Sequence, residues 1–245
     1  MKKYLIVILI VVMYLICVLV LPDVLTNKSY LIVGSSAKWV YQNGTWGNYT
    51  KIPTRLGRFK LYDINDGEYI GSTNLYYKNK SITAKDKELF NNRFILAYKG
   101  SGDIKFIPYT RVYDIASNEI LDVMKKVGVS DTNIPLASKI AVDLDNDGAD
   151  ETIYEFYNSL NYDTNIKKYY SIICIKDGNE YTKLVDKTSN YTFYDNYLVT
   201  AIIDFTNDGN YEIIIGESGI SFDARDASYS MYGLKDGKYV KLSTE

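Results

Sequence analysis

The chain has 245 residues, 47% apolar and 24% charged, and Tyr alone accounts for 25 of them. That composition gives room for a sizeable core and excludes a disordered or low-complexity chain. A formal charge of −2, or −4 with Lys2 and Lys3 set aside, comes without a basic stripe and argues against nucleic acid as a partner; the absence of His removes the commonest general base and the usual zinc ligand.

Met1-Lys-Lys precedes an uncharged run from Tyr4 to Leu21, which ends at Pro22 and Asp23. As a helix, that run would rise about 27 Å, close to the roughly 30 Å of a bilayer core. The expectation is a transmembrane anchor over residues 1–22. Lys2 and Lys3 would then be cytoplasmic and the rest extracytoplasmic, giving a single-pass protein of the cell membrane. The rival is a signal peptide and a secreted product. Val18, Val20 and Leu21 offer no small-x-small cleavage site, and Tyr14-Leu-Ile before Cys17 lacks the small residues of a lipoprotein signal.

Residues 23–137 read as a divergent β-rich region with one helix. Ser29–Val33, Lys38–Tyr41 and Tyr49–Ile52 have strand character, with an Asn43-Gly44 turn between the last two. More strands lie between Arg58 and Tyr77, around Asp63-Ile-Asn-Asp-Gly67, which we read as a turn. Residues 81–92 are polar with some helical character, and strands resume at Arg93–Tyr98 and Ile104–Ile107. A helix is expected near 118–127, capped by Ser117 and stopped by Gly128, with Ile120, Leu121, Met124 and Val127 as its apolar stripe. Trp39, Tyr41, Trp46 and Tyr49 surround the first turn. Sheet packing outweighs ligand contact for them, because large aromatics fill sheet faces as readily as they anchor interfaces.

Residues 138–245 repeat internally. Lys139–Val142 enters Asp143-Leu-Asp-Asn-Asp-Gly-Ala-Asp-Glu151, and Thr152–Phe156 leaves it. Tyr169–Ile175 and Tyr181–Val185 then flank an Asp-Gly turn at Gly178. The second copy starts 61 residues later. Val199–Ile203 enters Asp204-Phe-Thr-Asn-Asp-Gly-Asn-Tyr-Glu212, and Ile213–Ile215 leaves it. Ser230–Leu234 and Tyr239–Leu242 flank Gly237. The expected fold is all-β or mainly β, built of repeated four-stranded blade-like units in a small or incomplete β-propeller. Cys174 lies in a strand-like run and reads as a small buried hydrophobe; it has no partner for an intrachain disulfide outside the apolar segment.

In the first copy Asp143, Asp145, Asp147 and Glu151 place carboxylates at loop positions 1, 3, 5 and 9, and the Ala149 carbonyl can turn inward at 7. Calcium takes six to eight oxygen ligands, which such a mixture with water supplies. Like charges at this spacing repel unless a cation joins them. The second copy offers Asp204, Thr206, Asp208, Asn210 through its carbonyl, and Glu212; with Thr206 in place of a carboxylate it should bind more weakly. Neither loop is an EF-hand, because the twelfth positions are Tyr154 and Ile215 rather than Glu. The cofactor expected is structural Ca2+.

The first loop and the Thr-Ile-Tyr after it resemble the signature of FG-GAP/VCBS-type repeats, over about residues 138–242. The resemblance implies a calcium-loop β-propeller, with the loop residues just named as ligands between two strands of a blade. The Phe-Gly and Gly-Ala-Pro elements of that family do not occur here.

The leading functional expectation is a non-catalytic, membrane-tethered, extracytoplasmic calcium-binding protein that engages a protein or glycan. The alternatives are a cell-envelope hydrolase or an accessory domain of one, and a membrane sensor or assembly partner. For a hydrolase the carboxylate pairs are Asp63 with Glu68 and Asp223 with Asp226. Ser35-Ser36 and Ser218-Gly-Ile-Ser221 have no His to activate them.

Overall fold

The structure is a computed structural model and describes residues 28–34, 37–48, 54–78, 81–86, 95–130, 134–158, 168–190, 196–218 and 228–243. In chain order the first strands are β1 (Ser29–Val33), β2 (Ala37–Gln42), β3 (Thr45–Asn48), β4 (Arg55–Asp63), β5 (Tyr69–Lys78), β6 (Ser81–Ala84) and β7 (Ile95–Lys99). Two short strands, β8 (Lys105–Phe106) and β9 (Arg111–Val112), precede the helix α1 (Ser117–Lys126). The first repeat supplies β10 (Leu136–Val142), β11 (Glu151–Tyr157), β12 (Tyr169–Asp177) and β13 (Glu180–Ser189). The second supplies β14 (Asn196–Asp204), β15 (Glu212–Ser218), β16 (Ser228–Lys235) and β17 (Lys238–Ser243).

These strands form three antiparallel sheets. The N-terminal sheet has the order β3-β2-β1-β7-β4-β5-β6. Each repeat contributes a four-stranded meander, and the segment between the N-terminal sheet and α1 adds a fifth strand to each. β9 pairs with β10 of the first repeat, and β8 pairs with β14 of the second.

Side-chain alternation stacks the sheets. On β15, Ile214 packs with Leu31, Val33, Leu96 and Tyr98 of the N-terminal sheet. Its neighbours Ile213 and Ile215 point the other way, toward Ile153, Ile173 and Ile175 of the first repeat. The second-repeat sheet is thus the middle layer. A bulge between Val199 and Ala201 lets β14 serve both faces. Ile214 is fully buried, so Ile214→Ala is expected to cost about 2–5 kcal/mol of unfolding free energy. A urea titration showing a loss below about 1 kcal/mol would contradict this packing.

The helix covers the outer face of the first-repeat sheet through Ile120, Val123, Met124 and Val127, packed against Phe156, Tyr170 and Ile172. Val123, not Leu121, completes the stripe; Leu121 is 37% exposed. Ser117 does not cap the helix: Ala116 holds that position with no side-chain hydrogen bond. The C-terminal stop is as expected from the sequence. Gly128 has φ +79° and donates to the Lys125 carbonyl while Val129 donates to that of Met124, a Schellman motif. Glu119 fixes the helix to the sheet by accepting from Lys139 Nζ at 2.7 Å and the Tyr154 hydroxyl at 2.9 Å.

Several expectations are corrected. None of the three sheets closes on itself or into a ring, so the repeats are open stacked sheets and not a small or incomplete propeller. The N-terminal region explains why: it forms one seven-stranded sheet instead of further four-stranded units, and covers the middle layer from one side only. Residues 81–84 are strand, not helix, and residues 87–92 lie outside the described residues. Among the described residues no helix is long and apolar enough to cross a membrane; the ten residues of α1 span about 15 Å, half a bilayer core. The membrane tether is therefore not carried forward, nor the single-pass localisation and membrane partner derived from it. The segment 1–22 that suggested them lies outside the described residues.

Candidate metal centre

The two acidic loops share one backbone frame. At position 1, Asp143 Oδ1 and Oδ2 accept the N–H groups of Asp147 and Gly148 at 3.1 and 3.0 Å. Asp204 does the same for Asp208 and Gly209 at 3.2 and 3.3 Å. At position 5, Asp147 accepts from Ala149 N–H at 2.8 Å and Asp208 from Asn210 N–H at 2.9 Å. At position 9, Glu151 Oε2 accepts from Leu144 N–H at 2.6 Å and Glu212 Oε2 from Phe205 N–H at 3.0 Å. Asn146 and Asn207 have φ of 60° and 57°, a left-handed conformation that Asn tolerates better than most side chains. Gly148 and Gly209 follow at 90° and 85°.

The first loop gathers its carboxylates. Asp143, Asp145 and Glu151 each place one oxygen within 4.8 Å of the others, with the two aspartates half-buried and Glu151 buried. They form a cluster able to coordinate a metal ion. Asp147 and Ala149 are exposed and outside that cluster. In the second loop Asp204 and Glu212 are buried, Thr206 and Asn210 half-buried and Asp208 exposed. No comparable set of three converges there among the described residues. The Thr206 hydroxyl, at the place of Asp145, is buried and has no hydrogen-bond partner among them.

Both position-9 glutamates sit in surroundings that oppose their charge. Burial raises the Glu151 pKa; the Leu144 N–H works against the rise and Asp145 adds to it. For Glu212, burial pushes the value up to about 8, opposed by the Phe205 N–H and reinforced by Asp208 and Asp204. Among the described residues no Lys or Arg forms a salt bridge with a carboxylate of either loop. A hard cation is the group that would reverse both shifts.

The remaining candidates fall elsewhere. Trp39 is 1% exposed, and Trp46 lies 4.3 Å from Phe205 and 5.2 Å from Tyr41 by ring centroids. These aromatics fill the space between the N-terminal and middle sheets; Tyr49 is outside the described residues. Asp63 is spent on its own turn, accepting from the N–H and side-chain amide of Asn65 at 3.0 and 2.9 Å. Ser35, Ser36, Ser221, Asp223 and Asp226 lie outside the described residues. Cys174 is fully buried and its thiol is pushed up to about 12, chiefly by that burial.

Sequence reasoning missed one polar cluster. Glu155 on β11 is fully buried and accepts from Arg111 Nε at 2.7 Å, Arg111 Nη2 at 3.1 Å, Ser138 Oγ at 2.5 Å and the Val199 N–H at 2.6 Å. Arg111 Nη2 and the Tyr109 hydroxyl donate to the Val199 carbonyl at 2.7 and 3.2 Å. Burial disfavours the Arg111 charge, but the hydrogen bonds and charge of Glu155 outweigh it and raise the guanidinium pKa. The sequence signal was a lone carboxylate in the apolar run Ile153-Tyr-Glu-Phe156. Arg111 also lines a cavity of about 500 Å³ with Asp66, Tyr109 and the β14 segment Leu198–Ile202; neither acidic loop borders it.

Fold and site together define a mainly β protein of three stacked open sheets, with an acidic, metal-competent loop joining two strands. No family model, curated protein or solved structure matches the chain. With no matching family and no closed ring, the resemblance to FG-GAP/VCBS repeats is corrected: it is confined to the spacing of the loop residues.

Proposed function

We propose that this chain is a cation-stabilised accessory module in which the first acidic loop holds a structural Ca2+. The convergence of Asp143, Asp145 and Glu151 carries this reading. The three offered oxygens lie within 4.8 Å of one another, close enough for a single ion with bonds of about 2.3–2.6 Å to touch all of them. Asp147 and the Ala149 carbonyl would complete the shell with water. The second loop, with Asp204, Thr206, Asp208, Asn210 and Glu212, is the weaker site, since Thr206 brings no charge.

The location supports a structural role over a catalytic one. Asp143 follows β10 and Glu151 opens β11, so an ion would tie two paired strand ends together and not line the cavity. Of the functional classes open to the sequence, an accessory domain serving a hydrolase or larger assembly fits this placement best. Calorimetric titration of chelator-treated protein with CaCl2 tests the binding. One exothermic or endothermic event with a stoichiometry of one or two, stronger than with MgCl2, is expected. No heat at millimolar calcium would sink the proposal.

A further inference from the structure

The two loops are 61 residues apart in sequence but meet at the backbone of one residue, Leu144. Leu144 N–H donates to Glu151 of its own loop. The Leu144 carbonyl accepts from Tyr211 N–H at 3.0 Å and from the Tyr239 hydroxyl at 3.1 Å. Tyr211 immediately precedes Glu212, which accepts from Phe205 N–H. Phe205 in turn packs its ring on Trp46. Leu144 is 0%, Phe205 3% and Tyr211 6% exposed, so the path runs through close-packed interior, where a shift of one group must be met by its neighbours. The loops also approach each other: a Cβ added at Gly209 would stand 3.8 Å from the Asn146 side chain.

We propose that the acidic loops are a coupled pair, in which a cation in the first loop fixes the Leu144 backbone, the two peptide groups on either side of its Cα, and thereby sets Tyr211, Glu212 and the Phe205–Trp46 contact. This rests on the cation reading of the first loop. Coupling is reciprocal, so the factor by which a first-loop cation favours ordering of the second loop is the factor by which an ordered second loop favours the first-loop cation. The sign is positive. A Leu144 backbone already held through its N–H by Glu151, with the ion on that loop, presents a fixed carbonyl to Tyr211, and less freedom remains to be lost when the second loop orders.

The test uses the full chain labelled with 5-fluorotryptophan, with the Trp46 fluorine resonance assigned by Trp46→Phe. Chelated protein is titrated with CaCl2 by calorimetry and by fluorine NMR. The Trp46 resonance should move with the same midpoint as the heat. Asp145→Asn, which removes one first-loop carboxylate, should abolish that movement at calcium levels that saturate the wild type. Tyr239→Phe keeps the ring but loses the bond to Leu144; it should retain the heat, weaken affinity about fivefold and reduce the Trp46 shift. Heat with a motionless Trp46 resonance overturns the coupling and leaves the cation site standing. A Trp46 shift undiminished in Asp145→Asn also overturns it, since the second loop would then respond by itself. Absence of heat in the wild type sinks both.

Discussion

Replacing Glu155 with Gln is expected to lower the unfolding free energy by about 3–5 kcal/mol, the range for breaking one side of a buried ion pair. For a chain of this size the midpoint of thermal unfolding should fall by roughly 6–20 °C. Glu155 has no exposure and four hydrogen bonds from three separate residues, so Gln, although isosteric, cannot replace it as an acceptor at both oxygens. Its amide nitrogen would face Arg111, Ser138 or Val199, all of which present donors. The apolar double replacement Arg111→Met with Glu155→Met distinguishes this cluster from an ordinary buried pair. Removing both members of a self-contained pair is often neutral or stabilising. Here it would strand the Val199 N–H and leave its carbonyl to the Tyr109 hydroxyl alone, and an unsatisfied buried group costs about 1–3 kcal/mol. The double variant should therefore remain destabilised. Thermal and urea unfolding followed by circular dichroism decide the matter, and a wild-type midpoint in the double variant would refute the role given to Val199.

Calcium should raise the stability of chelated protein by about 2.7 kcal/mol at a hundredfold excess over Kd, if the ion binds only the folded chain. That corresponds to roughly 5–11 °C in the unfolding midpoint. Asp145→Asn should forfeit most of the gain. Of the three converging carboxylates it is the one whose loss disturbs the loop least, because Asp143 and Glu151 each hold backbone N–H groups at shorter range. Without calcium the same variant should be as stable as the wild type or more so, since one of three crowded negative charges is gone. The opposite signs with and without calcium separate loss of a ligand from general damage to the fold. An Asp145→Asn protein that calcium stabilises as much as the wild type would remove the first loop from the binding site.

What the sequence made legible was local. The loop frame follows from Asp, Asn, Gly and Glu at fixed spacing, because each hydrogen bond in it spans seven residues or fewer. The eight strands of the repeats and the Gly128 stop follow from alternation and turn chemistry within similar windows. What spans longer distances was not legible. The strand at Ile104–Ile107 was legible as β8 but not its pairing with the second repeat, and the two-residue β9 has no periodicity to read; together they complete both repeat sheets. The repeat predicted units but not their number or closure, which depend on how the N-terminal strands pair. Of the three partners of Glu155, Arg111 and Val199 lie 44 residues away on either side and Ser138 lies 17 away, and only its polarity among apolar neighbours marked it.

The clasp around Val199 also bears on how an edge of the middle sheet is finished. β8 ends opposite Ile203, and four residues farther along β14 the Val199 N–H and carbonyl, on the edge away from β15, are met by side chains and not by a backbone strand among the described residues. Bare strand edges recruit strands from other chains and seed aggregation. Glu155, Arg111 and Tyr109 occupy both groups with side chains, so neither the donor nor the acceptor is left bare there. The ion pair thus closes with side chains a stretch of β14 that β8 leaves unpaired, inside the packing of the two repeat sheets.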